Sequence, residues 1–117
     1  SSDEDIKQIV ENSFIKDFGV DRCIIEFYDN ENIIKIEEVT GLSMHKGAVH
    51  CGSFSNEKMT FLFNDKKVES LVIAVIVLKK EIGLLKLGSY DRTKYLGDED
   101  TTFIEYIRDI LEKKLAS

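Results

Sequence analysis

The segment from Ser43 to Phe54 contains the residues best suited to chemistry, because His50 stands next to Cys51. A neighbouring imidazole can lower the pKa of a thiol and raise the fraction of nucleophilic thiolate. Against this, adjacent residues of an extended strand point to opposite faces, and unreactive cysteines are among the most often buried residues. The pattern favours a buried Cys51 and predicts no catalytic residue.

His45, His50 and Cys51 are also the side chains of this segment that could bind a metal ion. A structural zinc site has four ligands at recurring spacings, commonly with paired cysteines. These three residues do not follow such a spacing, so no metal site is predicted. The sequence has no glycine-rich phosphate loop either, and it leaves the identity of any cofactor open.

The net charge of the chain limits its partners. Sixteen Lys and Arg stand against 22 Asp and Glu, which gives a formal charge of −6. Nucleic acids and anionic membranes attract basic surfaces, and the few lysine pairs of this chain are scattered among acidic residues. We therefore expect neither a nucleic acid nor a membrane as the partner.

Cysteine content and the amino terminus indicate the compartment. The chain has two cysteines, Cys23 and Cys51, which suits a reducing environment better than a disulfide framework. It opens with Ser1 and an acidic stretch rather than a signal peptide, and it lacks an initiator Met, which indicates a fragment. The apolar run 71–78 is too short to span a membrane. A cytoplasmic location is predicted.

Hydrophobic periodicity and turn residues predict a single α+β domain over residues 1–117. The predicted elements are a helix over 3–18, strands over 21–28 and 33–39, a short helix over 56–63, strands over 68–79 and 82–88, and a helix over 100–115. Short connections require the adjacent strands to be antiparallel.

The economical packing puts both terminal helices on one face of the sheet. The other face is then covered by the irregular segment 42–54 and the short helix, which is where a pocket could form. The candidate pocket residues are Tyr28, Ser43, Lys46, His50, Cys51, Phe54, Met59 and Phe63.

The second half of the chain carries a family resemblance. Cys51-Gly52 leads to Ser55 and a short helix with Phe61-Leu62-Phe63. The segment from Ile82 to Ser89, a strand that ends in Gly88-Ser89, is followed by Asp91, Tyr95, Thr102 and Phe103. This pattern resembles the bacterial DUF484 family, and the order of elements resembles the GAF domain, a sensing module related to PAS domains. The chain departs from the family pattern at Tyr90, where an Arg is usual, and in its shorter amino-terminal helical region.

The resemblance implies a regulatory or signalling module that binds an unidentified small molecule and forms a homodimer through its terminal helices. Ile15, Ile104 and Ile110, at the flanks of these helices, would widen the apolar side for a second copy. One alternative is a structural or protein-interaction domain whose pocket is closed by its own side chains. A less favoured alternative is a thiol-dependent redox enzyme that uses Cys51, as free methionine sulfoxide reductases of the GAF class use their cysteines.

Overall fold

A computed structural model describes residues 2–96 and 101–116 of the chain. The elements in chain order are α1 (Asp3–Phe18), β1 (Arg22–Tyr28), α2 (Asn30–Thr40), β2 (Val49–Gly52), α3 (Asn56–Phe63), β3 (Ser70–Val77), β4 (Ile82–Ser89) and α4 (Thr101–Lys114). The predicted start of the last helix at Asp100 lies outside the described residues. The predicted α+β class is confirmed. No helix within the described ranges has both the length and the apolar content to cross a membrane.

The four strands form one sheet in the order β1-β4-β3-β2, and each neighbouring pair is antiparallel. A tight turn joins β3 to β4, where the backbone N–H of Leu78 donates to the carbonyl of Glu81 at 3.1 Å. β3 is buried along almost its whole length because both of its faces are covered. Its continuous apolar sequence is typical of a central strand covered on both faces. The predicted antiparallel sheet is confirmed.

Both terminal helices pack on one face of the sheet, as predicted. Phe14 of α1 and Leu111 of α4 share a core with Cys23 and Ile25 of β1. Ile104 also belongs to this core, with only 3% of its surface exposed. Its predicted place on the flank of α4 is therefore wrong, because its side chain points at the sheet.

Helices α2 and α3 and the segment 42–48 cover the opposite face. Their buried side chains are Ile33, Ile36, Met44, Ala48, Met59, Leu62 and Phe63, which pack against the strands through Leu71, Ile73, Val75 and Leu84. The predicted cover of this face lacked α2. α2 covers this face of the sheet together with α3 and the segment 42–48.

The predicted strand over 33–39 is wrong, because these residues lie inside α2. Asp29 is the N-cap, and its carboxylate accepts a hydrogen bond from the backbone N–H of Asn32 at 2.8 Å. Ile33 and Ile36 are then buried three residues apart, which is helical spacing. The polar run before them is the cap and first turn of a helix instead of a hairpin turn.

Carboxylates of the terminal helices bind the open edges of the sheet. Glu11 of α1 accepts from the backbone N–H of Ile25 at 2.8 Å, on the outer edge of β1. Glu112 of α4 accepts from the N–H of Val77 at 2.9 Å, beyond the part of β3 that pairs with β2. Unpaired edge groups can recruit a strand of another molecule, and these two bonds satisfy two such N–H groups.

Candidate functional site

A cleft of about 590 Å³ opens on the α2 and α3 side of the sheet, next to β1. Its floor is formed by β1 and β4, and its walls are formed by α2 and by the end of α3. The lining residues are Arg22, Ile24, Glu26, Tyr28, Asn32, Lys35, Ile36, Phe61, Leu62, Phe63, Asn64 and Lys86. This volume lies within the usual range for small-molecule sites.

Lys86 is a buried cation in the floor of the cleft. It lies in the middle of β4, with 3% of its side chain exposed. Its Nζ donates to Glu26 Oε1 at 3.1 Å, to the hydroxyl of Tyr28 at 3.1 Å and to the backbone carbonyl of Leu62 at 2.8 Å. An ammonium has three N–H donors, so these acceptors satisfy all of them.

The register of the sheet explains why these groups meet. Lys86 pairs with Ile24 of β1, so Glu26 lies diagonally across from it on the same face. Tyr28 lies two residues further along that face, and the end of α3 brings the carbonyl of Leu62 over the strand. Two strands and one helix therefore position the polar group.

Burial and the Glu26 carboxylate shift the pKa values of Lys86 and Tyr28. Burial lowers the pKa of the Lys86 ammonium, and the charge and hydrogen bond of Glu26 oppose that effect. Burial raises the pKa of Tyr28, and the Glu26 carboxylate raises it further by its charge and its hydrogen bond. The hydroxyl of Tyr28 therefore remains protonated, and the charges of Glu26 and Lys86 cancel in an ion pair.

A second polar group lies at one end of the cleft. Arg22 Nη1 donates to Asp65 Oδ2 at 2.8 Å, and the hydroxyl of Tyr90 donates to the same oxygen at 3.0 Å. The backbone N–H of Lys67 and then the Arg22 guanidinium lower the pKa of Asp65. The amine of Lys67 also lies 4.9 Å from the centre of the Tyr90 ring. These contacts fix the orientation of Arg22 at the rim.

The eight predicted pocket residues do not lie together. Tyr28 and Phe63 line the cleft. Met59 is buried in the core on the α2 and α3 side of the sheet, and Phe54 packs against that core. Lys46 is exposed on the loop before β2.

The remaining three candidates lie away from the cleft. His50 Nε2 lies 2.6 Å from the backbone carbonyl of Ser43, which joins two of them in a local contact. Cys51 packs against the core beneath the terminal helices, on the opposite face of the sheet.

Neither cysteine forms a disulfide bond. Cys23 belongs to the same core as Cys51, and burial, together with the charge of Glu11, raises its pKa to about 12. A thiol of that pKa is protonated and poorly nucleophilic at neutral pH. In the described part of the chain, no group of three or more His, Cys, Asp and Glu side chains has the arrangement needed to hold a metal ion.

Lys86, the central residue of the cleft, was not among the predicted site residues, although the sequence carries a signal for it. Lys86 is the single charged residue in the strand from Ile82 to Ser89, and a charge inside a strand covered on both faces requires a partner. Asn32 and Lys35 were also missed, because the predicted strand over 33–39 placed them in a hairpin.

Comparison with known proteins identifies a family for this chain. A search of curated proteins finds no match to this chain. The family model described as "Protein of unknown function, DUF484" matches residues 2–117, which is almost the whole chain. The resemblance found in the second half of the sequence therefore extends through the first half as well, and the chain belongs to the DUF484 family.

Proposed function

We propose that this domain is a GAF-like regulatory module that binds a small molecule in the cleft between β1, α2 and α3. The observation that carries the proposal is the buried ammonium of Lys86 in the floor of an open cleft. Buried charges are costly and are rare in cores that serve packing alone. Clefts with mainly apolar walls and a few converging polar groups are the usual form of ligand sites.

The distribution of side chains between the two faces supports a GAF-like division of roles. The terminal helices close one face with an almost wholly apolar core. The other face carries the polar cluster, the cleft and the two inner helices. The two thiols, neither of them in a disulfide, support the cytosolic location that we propose for the domain.

Assembly through the terminal helices is part of the proposal. The ring of Phe18 at the end of α1 lies 5.4 Å from the ring of Phe103 on α4, and both side chains are exposed. Ile15 is exposed on the same helix as Phe18. A second copy of the domain would cover these apolar groups.

A matched pair of variants tests this assembly. We expect Phe103→Glu to abolish a dimer, whereas Phe61→Glu, at an equally exposed phenylalanine on the opposite side of the sheet, should leave it intact. Analytical ultracentrifugation over a range of concentrations measures the outcome. A wild-type chain that sediments as a monomer at high concentration refutes the dimer.

A protein-interaction domain with a closed pocket is the second candidate, and one observation favours it. Met44 of the segment 42–54 and Met59 and Phe63 of α3 are each almost completely buried in one core against the sheet. A ligand could not enter there without displacing them. On this alternative, the open cleft beside β1 would serve as a docking surface for a protein.

The ligand proposal is tested by amide chemical-shift mapping with a library of small metabolites. We expect binders to perturb amides of β1, α2 and the end of α3. Asn32→Trp should block them, because Asn32 is exposed and lines the cleft, while its capping contact uses only the backbone N–H. Ile34→Trp, on the solvent side of the same helix, is the control. If no metabolite perturbs the cleft, or if both variants behave alike, the small-molecule function is refuted.

A further inference from the structure

We infer that the cleft selects a small organic anion, with a carboxylate or similar group at the rim and a flat apolar body against the wall. This inference rests on the proposed function and names the chemical class of its ligand. It is carried by the charges that line the cleft, by the donors at its rim and by the exposed ring at its mouth.

The lining of the cleft is positively charged although the chain is acidic. Arg22, Lys35 and Lys86 line the cleft together with one carboxylate, that of Glu26, which gives a lining charge of 3 − 1 = +2. Counting Asp65, which binds Arg22 from outside the lining, leaves +1. The whole chain carries −6. The positive field of the cleft would attract small anions, whereas the acidic remainder of the protein would repel them.

The net charge resides at the rim rather than at the floor. Lys86 is neutralised by its ion pair with Glu26. Lys35 is exposed on α2, and the guanidinium of Arg22 uses one of its five N–H donors for Asp65. An anionic group between Lys35 and Arg22 would therefore meet donors on two sides, and the amide of Asn32 lies in the same lining.

The remainder of the lining fits an apolar and planar body. Ile24 and Ile36 supply aliphatic surface, and the ring of Phe61 stands at the mouth with 44% of its surface exposed. A ring at this position stacks on a flat ligand with little loss of side-chain freedom. The combination of a cationic rim and an aromatic wall indicates an aromatic or otherwise planar carboxylate.

Two probes of the same shape test the inference. 2-Naphthoate and 2-naphthamide differ only in the carboxylate, and each is titrated into the ¹⁵N-labelled full chain while the amide shifts are followed. We expect both to perturb the cleft and the carboxylate to bind about two- to fivefold more tightly, as one partly exposed ion pair would provide. This preference should decrease as salt is added.

Charge-reversal variants locate the preference. Lys35→Glu should abolish the preference for 2-naphthoate over 2-naphthamide. Lys46→Glu reverses an equally exposed lysine that lies outside the cleft and should preserve the preference. Both sites are exposed, so both variants should fold.

The outcomes separate the inference from the function on which it rests. Equal affinities of the two probes in the cleft overturn the anion class and leave small-molecule binding in place. Loss of the preference in both variants also overturns it, since it would then reflect overall charge. If neither probe perturbs the cleft, or if both bind only at the aromatic surface of Phe18 and Phe103, the inference and the proposed site are both overturned.

Discussion

Replacing Lys86 by Met tests whether the buried ammonium stabilises the fold. The substitution keeps an unbranched apolar stem of similar length and removes the donor of three hydrogen bonds. Its partners differ in how well they tolerate the loss. The carbonyl of Leu62 is engaged in a buried bond, whereas Glu26 has 47% of its side chain exposed and can be hydrated by water.

The magnitude follows from these differences. A buried carbonyl that loses its donor costs about 1–3 kcal/mol. The ion pair with the half-exposed Glu26 contributes about 1 kcal/mol or less. Removing the desolvation cost of the ammonium returns part of this sum. We expect Lys86→Met to lower the free energy of unfolding by about 2 kcal/mol, with a coupling to Glu26→Gln of about 0.5–1 kcal/mol.

The assay is a double-mutant cycle measured by urea unfolding at neutral pH, with Lys86→Met, Glu26→Gln and the double variant. Lys67→Met is the matched control, because its amine contacts the exposed ring of Tyr90 and should change stability by less than about 0.5 kcal/mol. If Lys86→Met is as stable as the wild type, the ammonium does not hold the floor of the cleft. The same conclusion follows if Lys67→Met lowers the free energy of unfolding as much as Lys86→Met does.

Three further predictions concern packing, pH and the sheet edge. Gly88→Ala should lower the free energy of unfolding by about 1–3 kcal/mol, because a Cβ at Gly88 would lie 2.9 Å from the ring of Phe63. Thermal unfolding measures this loss, and an unchanged midpoint would contradict the close contact. The pKa of Cys23 is raised from 9.0 to about 12 in the folded state, so its contribution to stability is complete below pH 9 and is lost as the pH rises toward 12. Between neutral pH and about pH 10.5, the free energy of unfolding of Cys23→Ala should therefore fall by about 2 kcal/mol less than that of the wild type. Urea unfolding measures both proteins, and parallel pH profiles would disprove this. Glu112→Ala should expose the N–H of Val77 and speed its hydrogen exchange by about tenfold, the equivalent of one hydrogen bond, whereas unchanged protection would show that α4 does not cover this edge.

Much of the fold could be predicted because its signals are local or depend on burial on both faces. The continuous apolar run of β3 identifies a central strand, and the stripes of α1 and α4 identify helices that need the same core. The short β3–β4 connection allows only an antiparallel pair. These features placed both terminal helices on one face of the sheet.

The error at α2 has a physical cause. Isoleucine and valine favour strands, and the residues from Ile33 to Val39 are rich in them, so intrinsic preference supported a strand. The structure satisfies the capping signals on either side instead, with Asp29 as N-cap and Gly41 in the left-handed conformation at the C-cap. Caps decide such ambiguous segments because they satisfy backbone groups that a hairpin would have paired differently.

The site could be predicted only in part, because it depends on register. The even-numbered face of β1, with Ile24, Glu26 and Tyr28, was visible in the sequence as the mixed face of an otherwise apolar strand. That Lys86 lies against it depends on the pairing of β1 with β4, two elements separated by more than 50 residues. No local pattern specifies such a register, whereas the face of each strand follows from the period of two.

The separation of the two faces also bears on the thiol chemistry that the sequence suggested. Cys23 and Cys51 both pack beneath the terminal helices, while the cleft with Lys86 lies across the sheet. A ligand held in the cleft cannot contact either sulfur, because the β1-β4-β3-β2 sheet lies between them. Cys23 is buried and Cys51 only half-buried, so oxidation of the Cys23 thiol would require the terminal helices to move from the sheet, whereas ligand binding would not. The sheet therefore separates the core beneath the terminal helices from the proposed ligand cleft, and a variant that affects both must act on the sheet itself.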